Sequence, residues 1–201
     1  MSRSIRIRDA IPEDVRACAG ILRDWADDTP WFPHWYTHYE DRAFVARHIA
    51  ENRVRVAMRP DGIAGFLVLE GQEVPCLYVG RGLRGRGIGA ALIDDAKRLS
   101  PDGLELWCFQ ANLGAQKFYT REGFAEVERT DGARNAEKLP DMRFRWAPER
   151  PKAGDGKKDQ TGKDKAAGPD VKPDGEKKQT APDSGKPSAP AKPDSGAKGD
   201  G

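Results

Sequence analysis

The run Val79-Gly80-Arg81-Gly82-Leu83-Arg84-Gly85-Arg86-Gly87-Ile88-Gly89-Ala90-Ala91-Leu92 constrains this chain more than any other stretch. A strand-like segment, Glu73 to Val79, precedes it, and an amphipathic helical pattern from Ile88 to about Leu99 follows, so its glycines occupy a strand-to-helix junction. Five glycines and three arginines at such a junction need a physical reason. Glycine lets backbone N–H groups approach a ligand closely and adopt conformations closed to other residues. A helix that begins there also turns unpaired N–H groups and the positive end of its dipole into the same space. The expected feature is an anion cradle, most simply for a pyrophosphate.

The patterning around the loop gives the remaining elements. Ile5 and Ile7 alternate with arginines as a first strand, about Ser4 to Arg8. Pro12-Glu13-Asp14 suits a helix first turn, and Val15, Cys18, Ile21, Leu22 and Trp25 fall on one helical face. An aromatic stretch, Trp31 to Tyr36, leads to Thr37-His38-Tyr39-Glu40, which has capping-box spacing and opens a second helix to about Glu51. Val54–Met58, the turn Pro60-Asp61-Gly62 and Ile63–Leu69 read as a hairpin, with Glu73–Val79 as the third strand of the set. Pro75 donates no ladder bond and implies an edge, a bulge or a strand start. Leu104–Phe109 is a strand, and Asn112–Glu122 is a helix closed by the C′ glycine Gly123. Phe124–Glu128 and Met142–Trp146 are the last strands. The order β-α-α-β-β-β-α-β-α-β-β predicts an α/β fold: a mixed, mostly antiparallel sheet with helices on both faces.

Composition divides the chain into a folded domain, 1–148, and a tail, 149–201. Beyond residue 150 the chain is built of Lys, Asp, Gly, Pro, Ser and Ala, with 11 lysines against 9 acids, and Val171 is its one large apolar residue. Such a segment cannot bury enough apolar surface to offset its ordering entropy and is expected to be disordered. Charges balance in both parts, so no global field draws the chain to nucleic acid or membrane. Cys18, Cys76 and Cys108 lack metal-ligand spacing and fit a reduced cytoplasmic protein with no metal. No apolar run reaches membrane-spanning length.

Three tenants suit the loop. Gly80-x-Gly82-x-x-Gly85 matches dinucleotide spacing, but no acid ends the next strand and the preceding strands form a meander rather than a βαβ unit. An arginine-glycine nucleic-acid segment belongs in a low-complexity tail, whereas this one lies between patterned elements. The third tenant is acyl-CoA. Arg84-Gly85-Arg86-Gly87-Ile88-Gly89, with the lead-in Leu77-Tyr78-Val79, resembles the Gln/Arg-x-x-Gly-x-Gly/Ala signature of the GNAT superfamily of acyl-CoA-dependent N-acetyltransferases. Asn112-x-x-Ala115-x-x-Phe118-Tyr119-x-x-x-Gly123-Phe124 resembles that family's second motif. Arg81-Gly82 replaces the Pro-Glu of many members.

The resemblance spans roughly residues 4–147 and implies the GNAT fold, with strands four and five splayed around pantetheine. It implies that Leu77, Tyr78 and Val79 line the cofactor, with main-chain groups of Leu77 and Val79 pairing with the pantetheine amides. Backbone N–H groups of Arg84, Gly85, Arg86, Gly87, Ile88, Gly89 and Ala90 would hold the pyrophosphate, and one near Val79 would face the thioester carbonyl. Asn112 would cap its helix or bond the cofactor. Tyr119 is the expected general acid for the departing thiolate, and Glu73 the candidate base. Cys108 reads as a buried small residue. Trp31, His34 and Trp35, with the loop Arg134–Lys138, are the expected walls of the acceptor site. The function implied is acetyl transfer from acetyl-CoA to an amine, of a small molecule or a peptide, by a monomer or homodimer. The alternative is an acyl-CoA-binding module without turnover.

Overall fold

The structure, a computed structural model, describes residues 5–148. The tail expected to be disordered, 149–201, lies outside the described residues. Seven strands form one sheet in the order β1-β2-β3-β4-β5-β7-β6. They are β1 (Arg6–Asp9), β2 (Val54–Arg59), β3 (Gly62–Glu70), β4 (Glu73–Val79), β5 (Leu104–Phe109), β6 (Ala125–Thr130) and β7 (Asp141–Trp146). The helices are α1 (Val15–Asp27), α2 (His38–Ala50), α3 (Ile88–Leu99) and α4 (Leu113–Arg121). Every pairing is antiparallel except β4 with β5. The expected α/β class, mixed sheet and element order are all present.

Local chemistry sets the helix ends. Thr37 caps α2: its Oγ1 accepts from Glu40 N–H at 3.3 Å, and Glu40 Oε2 accepts from Thr37 N–H at 2.7 Å. The turn Pro12–Asp14 does lead into α1, as a single 3-10 turn that runs directly into Val15. The Asp14 carboxylate holds it, accepting from Ile11 N–H at 2.9 Å and from Arg8 at 2.6 and 3.0 Å. Gly123, with φ +84°, closes the turn after α4 as a left-handed C′ residue.

Each face of the sheet buries its own core. On one side Cys18, Ile21 and Leu22 of α1 and Phe44, Val45 and Ile49 of α2 pack on Val54, Val56, Phe66 and Val68. On the other, Ile88, Leu92, Ile93 and Ala96 of α3 and Tyr119 of α4 pack on Ala57, Leu67, Leu104, Leu106 and Cys108. Burying each large aliphatic chain in these layers contributes about 1.5–3 kcal/mol. The two-sided coverage fixes the register, since a one-residue slip would exchange the faces.

β4 breaks that alternation once. Between the pairs Val68↔Cys76 and Glu70↔Glu73, β3 advances two residues while β4 advances three. The extra residue falls around Pro75, which cannot donate to the ladder, so a bulge absorbs it. Cys76 and Tyr78 therefore face α1, Leu77 and Val79 face α3, and Val74 joins the α3 side too.

Candidate active site

β4 and β5 are joined only at their beginnings. Their single register pair is Glu73↔Glu105, supported by Glu105 N–H donating to Gln72 O at 2.8 Å. Beyond it the strands part: β4 stays on β3 as far as Gly65↔Val79, while β5 follows β7 as far as Phe109↔Asp141. Gly80 N–H bonds Ala64 O at 2.8 Å, so by strand alternation the polar backbone of Tyr78 and Cys76 also faces β3. The N–H and C=O groups of Leu77 and Val79 then point the other way, into the opening. An extended ligand finds there a strand edge without a partner.

The glycine loop closes the wide end of this opening. Gly82, Gly85 and Gly87 hold φ values of +71°, +73° and +79°. Gly87 is the N-cap of α3, and no side chain caps that helix. Ala91 N–H is the first to bond back, to Gly87 O at 3.0 Å, leaving the N–H groups of Ile88, Gly89 and Ala90 free for an anion. Gly89 answers a different constraint: a Cβ there would lie 3.1 Å from the Phe118 ring. Arg81 is tied to Asp28 at 2.5 Å, whereas Arg84 and Arg86 are exposed. Donors, dipole and open strand edge together fit a pyrophosphate-bearing ligand with an amide-containing arm, as coenzyme A has.

α4 brings Tyr119 to the α3 side of the sheet. Its ring packs against Phe118, Phe124 and Phe144 with centroids 5.2, 5.8 and 6.0 Å away. Burial, with a smaller contribution from Cys108, raises the phenol well above its usual value, so it is neutral through the physiological range. Among the described residues its hydroxyl makes no hydrogen bond. Cys108 is buried and its thiol is pushed up to about 12, as a small core residue. Asn112 caps α4, its Oδ1 accepting from Ala115 N–H at 3.1 Å.

Glu73 stands at the apex of the opening. Its register partner Glu70 bonds His48 of α2, which places Glu73 on the α1/α2 side of the sheet. Burial, and the charges of Glu70 and Glu105, hold its carboxyl above the ordinary glutamate value. Both neighbours are already paired. Arg143 and Arg145 reach Glu105 at 3.3 and 2.5 Å, and Arg53 reaches Glu70 at 3.0 Å. Among the described residues Glu73 has no cationic partner.

On that same side five rings span the gap between the parted strands. Tyr78 of β4 meets Trp25 at 5.2 Å, Trp25 meets Trp31 and Phe32 at 6.0 and 4.9 Å, and these meet Phe109 of β5 at 5.8 and 5.9 Å. Of the expected acceptor walls, Trp31 belongs to this cluster. Trp35 is half exposed, and His34 lies at the surface, 4.0 Å from Asp27. The loop between β6 and β7 meets the aromatic stretch before α2 through Glu137, which accepts from Tyr36 OH at 3.5 Å.

Two polar clusters gave no signal in the sequence. His48, Glu51 and Glu70 lie with ligand atoms within 4.8 Å of one another, but Arg53 already bonds both carboxylates, at 2.9 and 3.0 Å. Buried Asp95 of α3 accepts from Arg55 Nε at 2.7 Å and from Arg98.

Residues 40–126 match the family described as an acetyltransferase (GNAT) domain. The peptidyl-lysine N-acetyltransferase YjaB of Salmonella typhimurium is 30% identical over 128 residues, 63% of this chain and 88% of that protein. The solution structure of apo YjaB from Escherichia coli superposes with a TM-score of 0.59 at 25% identity, covering 71% of this chain and 97% of YjaB. A GNAT acetyltransferase from Bacillus cereus shares the fold at a TM-score of 0.60 and 18% identity, over 73% and 99% of the two chains. With the loop, the parted strands and this agreement over nearly the whole of a relative, the chain belongs to the GNAT acetyltransferase family.

Proposed function

We propose that the chain transfers an acetyl group from acetyl-CoA to a primary amine by direct attack. Family membership supports acyl transfer, and the observation that carries the finer reading is the parting of β4 and β5 after Glu73↔Glu105. The gap opens toward free N–H groups at one end and narrows to an unpaired carboxylate at the other. Pantetheine lies along the Leu77–Val79 edge, the pyrophosphate sits on the N–H groups from Arg84 to Ala90, and Asn112 has its amide N–H₂ left to reach the cofactor.

The amine arrives as an ammonium from the α1/α2 side, and Glu73 takes its proton, directly or through water. A carboxyl held above its ordinary value by burial and like charge suits that role. The nitrogen lone pair forms a C–N bond to the thioester carbonyl carbon while a backbone N–H near Val79 stabilises the oxyanion. The C–S bond then breaks with its electron pair on sulfur. Tyr119 donates to that sulfur. Its raised pKa makes complete transfer to a free thiolate unfavourable, so the phenol hydrogen-bonds the leaving sulfur and relays a proton as the nitrogen loses its own. The products are the N-acetylated amine and the CoA thiol.

The test is free-thiol release over a panel of amines, run beside calorimetry with acetyl-CoA. Tyr119→Phe is expected to lower kcat by about 10²–10⁴-fold while acetyl-CoA affinity stays within about twofold. Binding of acetyl-CoA without acceptor-dependent thiol release would instead identify a binding module.

A further inference from the structure

Glu137 is 6% exposed, yet no lysine, arginine or histidine among the described residues reaches its carboxylate. Burying a carboxylate without a cation costs several kcal/mol. The loop nevertheless holds it in place: Asn135 Nδ2 donates to Leu139 O at 2.7 Å and to Asp141 Oδ2 at 2.9 Å, and Leu139 N–H returns to Asn135 Oδ1 at 3.2 Å. Among the described residues its hydrogen bond is the 3.5 Å contact from Tyr36 OH. Its charge also acts on the phenol of Tyr78, whose ring meets Trp25 of the Trp25-Trp31-Phe32-Phe109 cluster. Other buried carboxylates are better held: Asp14, Asp41 and Asp95 each pair with an arginine, and Asp141 accepts from Thr130 Oγ1 and Asn135 Nδ2.

We infer that Glu137 reads the acceptor: it binds a second cationic group on the substrate, so the preferred acceptors are small diamines rather than monoamines or amino acids. This rests on the acyl-transfer reading above. A buried carboxylate beside the Tyr36 phenol, with no cationic partner among the described residues, is complementary to an ammonium on a hydrocarbon chain. The same carboxylate repels an acceptor carboxylate. The reacting nitrogen must be neutral at the thioester, so the cation on Glu137 is a separate group, joined to it by the methylenes of the chain.

Cadaverine and pentylamine share a carbon chain and differ in the second amine, so their kcat/KM ratio, measured by thiol release, reads the contact directly. The wild-type ratio is expected to favour cadaverine by roughly tenfold or more, through KM, which corresponds to about 1.4 kcal/mol. Glu137→Gln is expected to bring the ratio close to one. Glu137→Asp, which keeps the charge, retains a preference, and Glu126→Gln, at an exposed carboxylate paired with Arg129, keeps the wild-type ratio. A merely structural Glu137 would leave the ratio unchanged in the Gln variant and lower the melting temperature. Equal kcat/KM for the two amines in the wild type, or a ratio that survives Glu137→Gln, overturns the assignment while leaving acyl transfer intact. No thiol release with either amine or the wider panel refutes the acyl-transfer reading itself.

Discussion

Replacing Gly87 by alanine separates backbone conformation from packing at the cofactor loop. Gly87 has φ +79° and ψ 0°, and a Cβ placed there meets nothing within 4 Å. Alanine therefore adds no clash, and its whole cost is the left-handed conformation, about 1–2 kcal/mol. For a domain of this size that lowers the melting temperature by about 2–8 °C. If the residue escapes to negative φ instead, the N–H groups of the loop turn away from their common focus. Losing one charge-assisted bond, worth about 1.5–3 kcal/mol, weakens acetyl-CoA binding about ten- to hundredfold. Thermal melts followed by near-UV circular dichroism, with calorimetric titration of acetyl-CoA, measure both quantities. Asparagine tolerates left-handed φ better than alanine, so Gly87→Asn is expected to fall between alanine and wild type. Gly89→Ala provides the contrast. Its helical backbone favours alanine by about 1 kcal/mol, yet the new methyl presses on Phe118 beside Tyr119, so turnover suffers more than stability. A Gly87→Ala protein as stable as wild type, or an asparagine variant no better than alanine, would refute the claim that a left-handed Gly87 shapes the loop.

If Glu73 is the base, the wild-type kcat/KM profile is expected to have an acidic limb above the ordinary glutamate range, and Glu73→Gln should remove it. Because the folded state raises this pKa, wild-type stability is fully present below the unfolded value and is lost as pH rises from there through the folded one. The Gln variant should thus melt higher than wild type at neutral pH and equally at low pH, and a lower melting temperature at neutral pH contradicts the unpaired-carboxylate reading. Asp14→Ala removes the bonds from Arg8 and from Ile11 N–H and should cost about 2 kcal/mol at pH 7 in urea unfolding. Here the folded pKa is lowered, chiefly by the Arg8 hydrogen bond, so the contribution is present above the unfolded value and vanishes as pH falls through the folded one. A penalty that persists undiminished in strong acid would show that the ion pair is not its source.

Much of this was legible because periodicity and turn chemistry act locally. Thr37 and Glu40 close their capping box within one turn, Gly123 ends α4, and β4, α3 and β5 begin and end where the apolar pattern does. The two GNAT motifs were legible for the same reason, each being one loop or one helix face. Glu137, the His48-Glu70-Arg53 cluster and the Arg55–Asp95 pair were not, because tertiary approach alone buries them. Glu137 sits in a polar loop, and its composition carries no sign that a phenol 101 residues earlier will cover it. Proline and acids marked the helical first turn at Pro12–Asp14, but Arg8 as the partner of Asp14 comes only from the chain reversal between β1 and the turn.

Pro75 shows how a local signal can carry a functional consequence that only the pairing reveals. In an unbroken strand, Glu73 would share the face of Leu77 and Val79, the side on which α3 and α4 cover the sheet. Three residues of β4 set against two of β3 reverse that phase. Val74 enters the α3-side core, and Glu73 emerges opposite Glu70 on the α1/α2 side, at the apex of the gap that the aromatic cluster spans. The bulge at one proline thus puts Glu73 and Tyr119 on opposite faces of the sheet. In the proposed reaction Tyr119 acts from the α4 face on the leaving thiol, and Glu73 acts from the opposite face on the incoming amine.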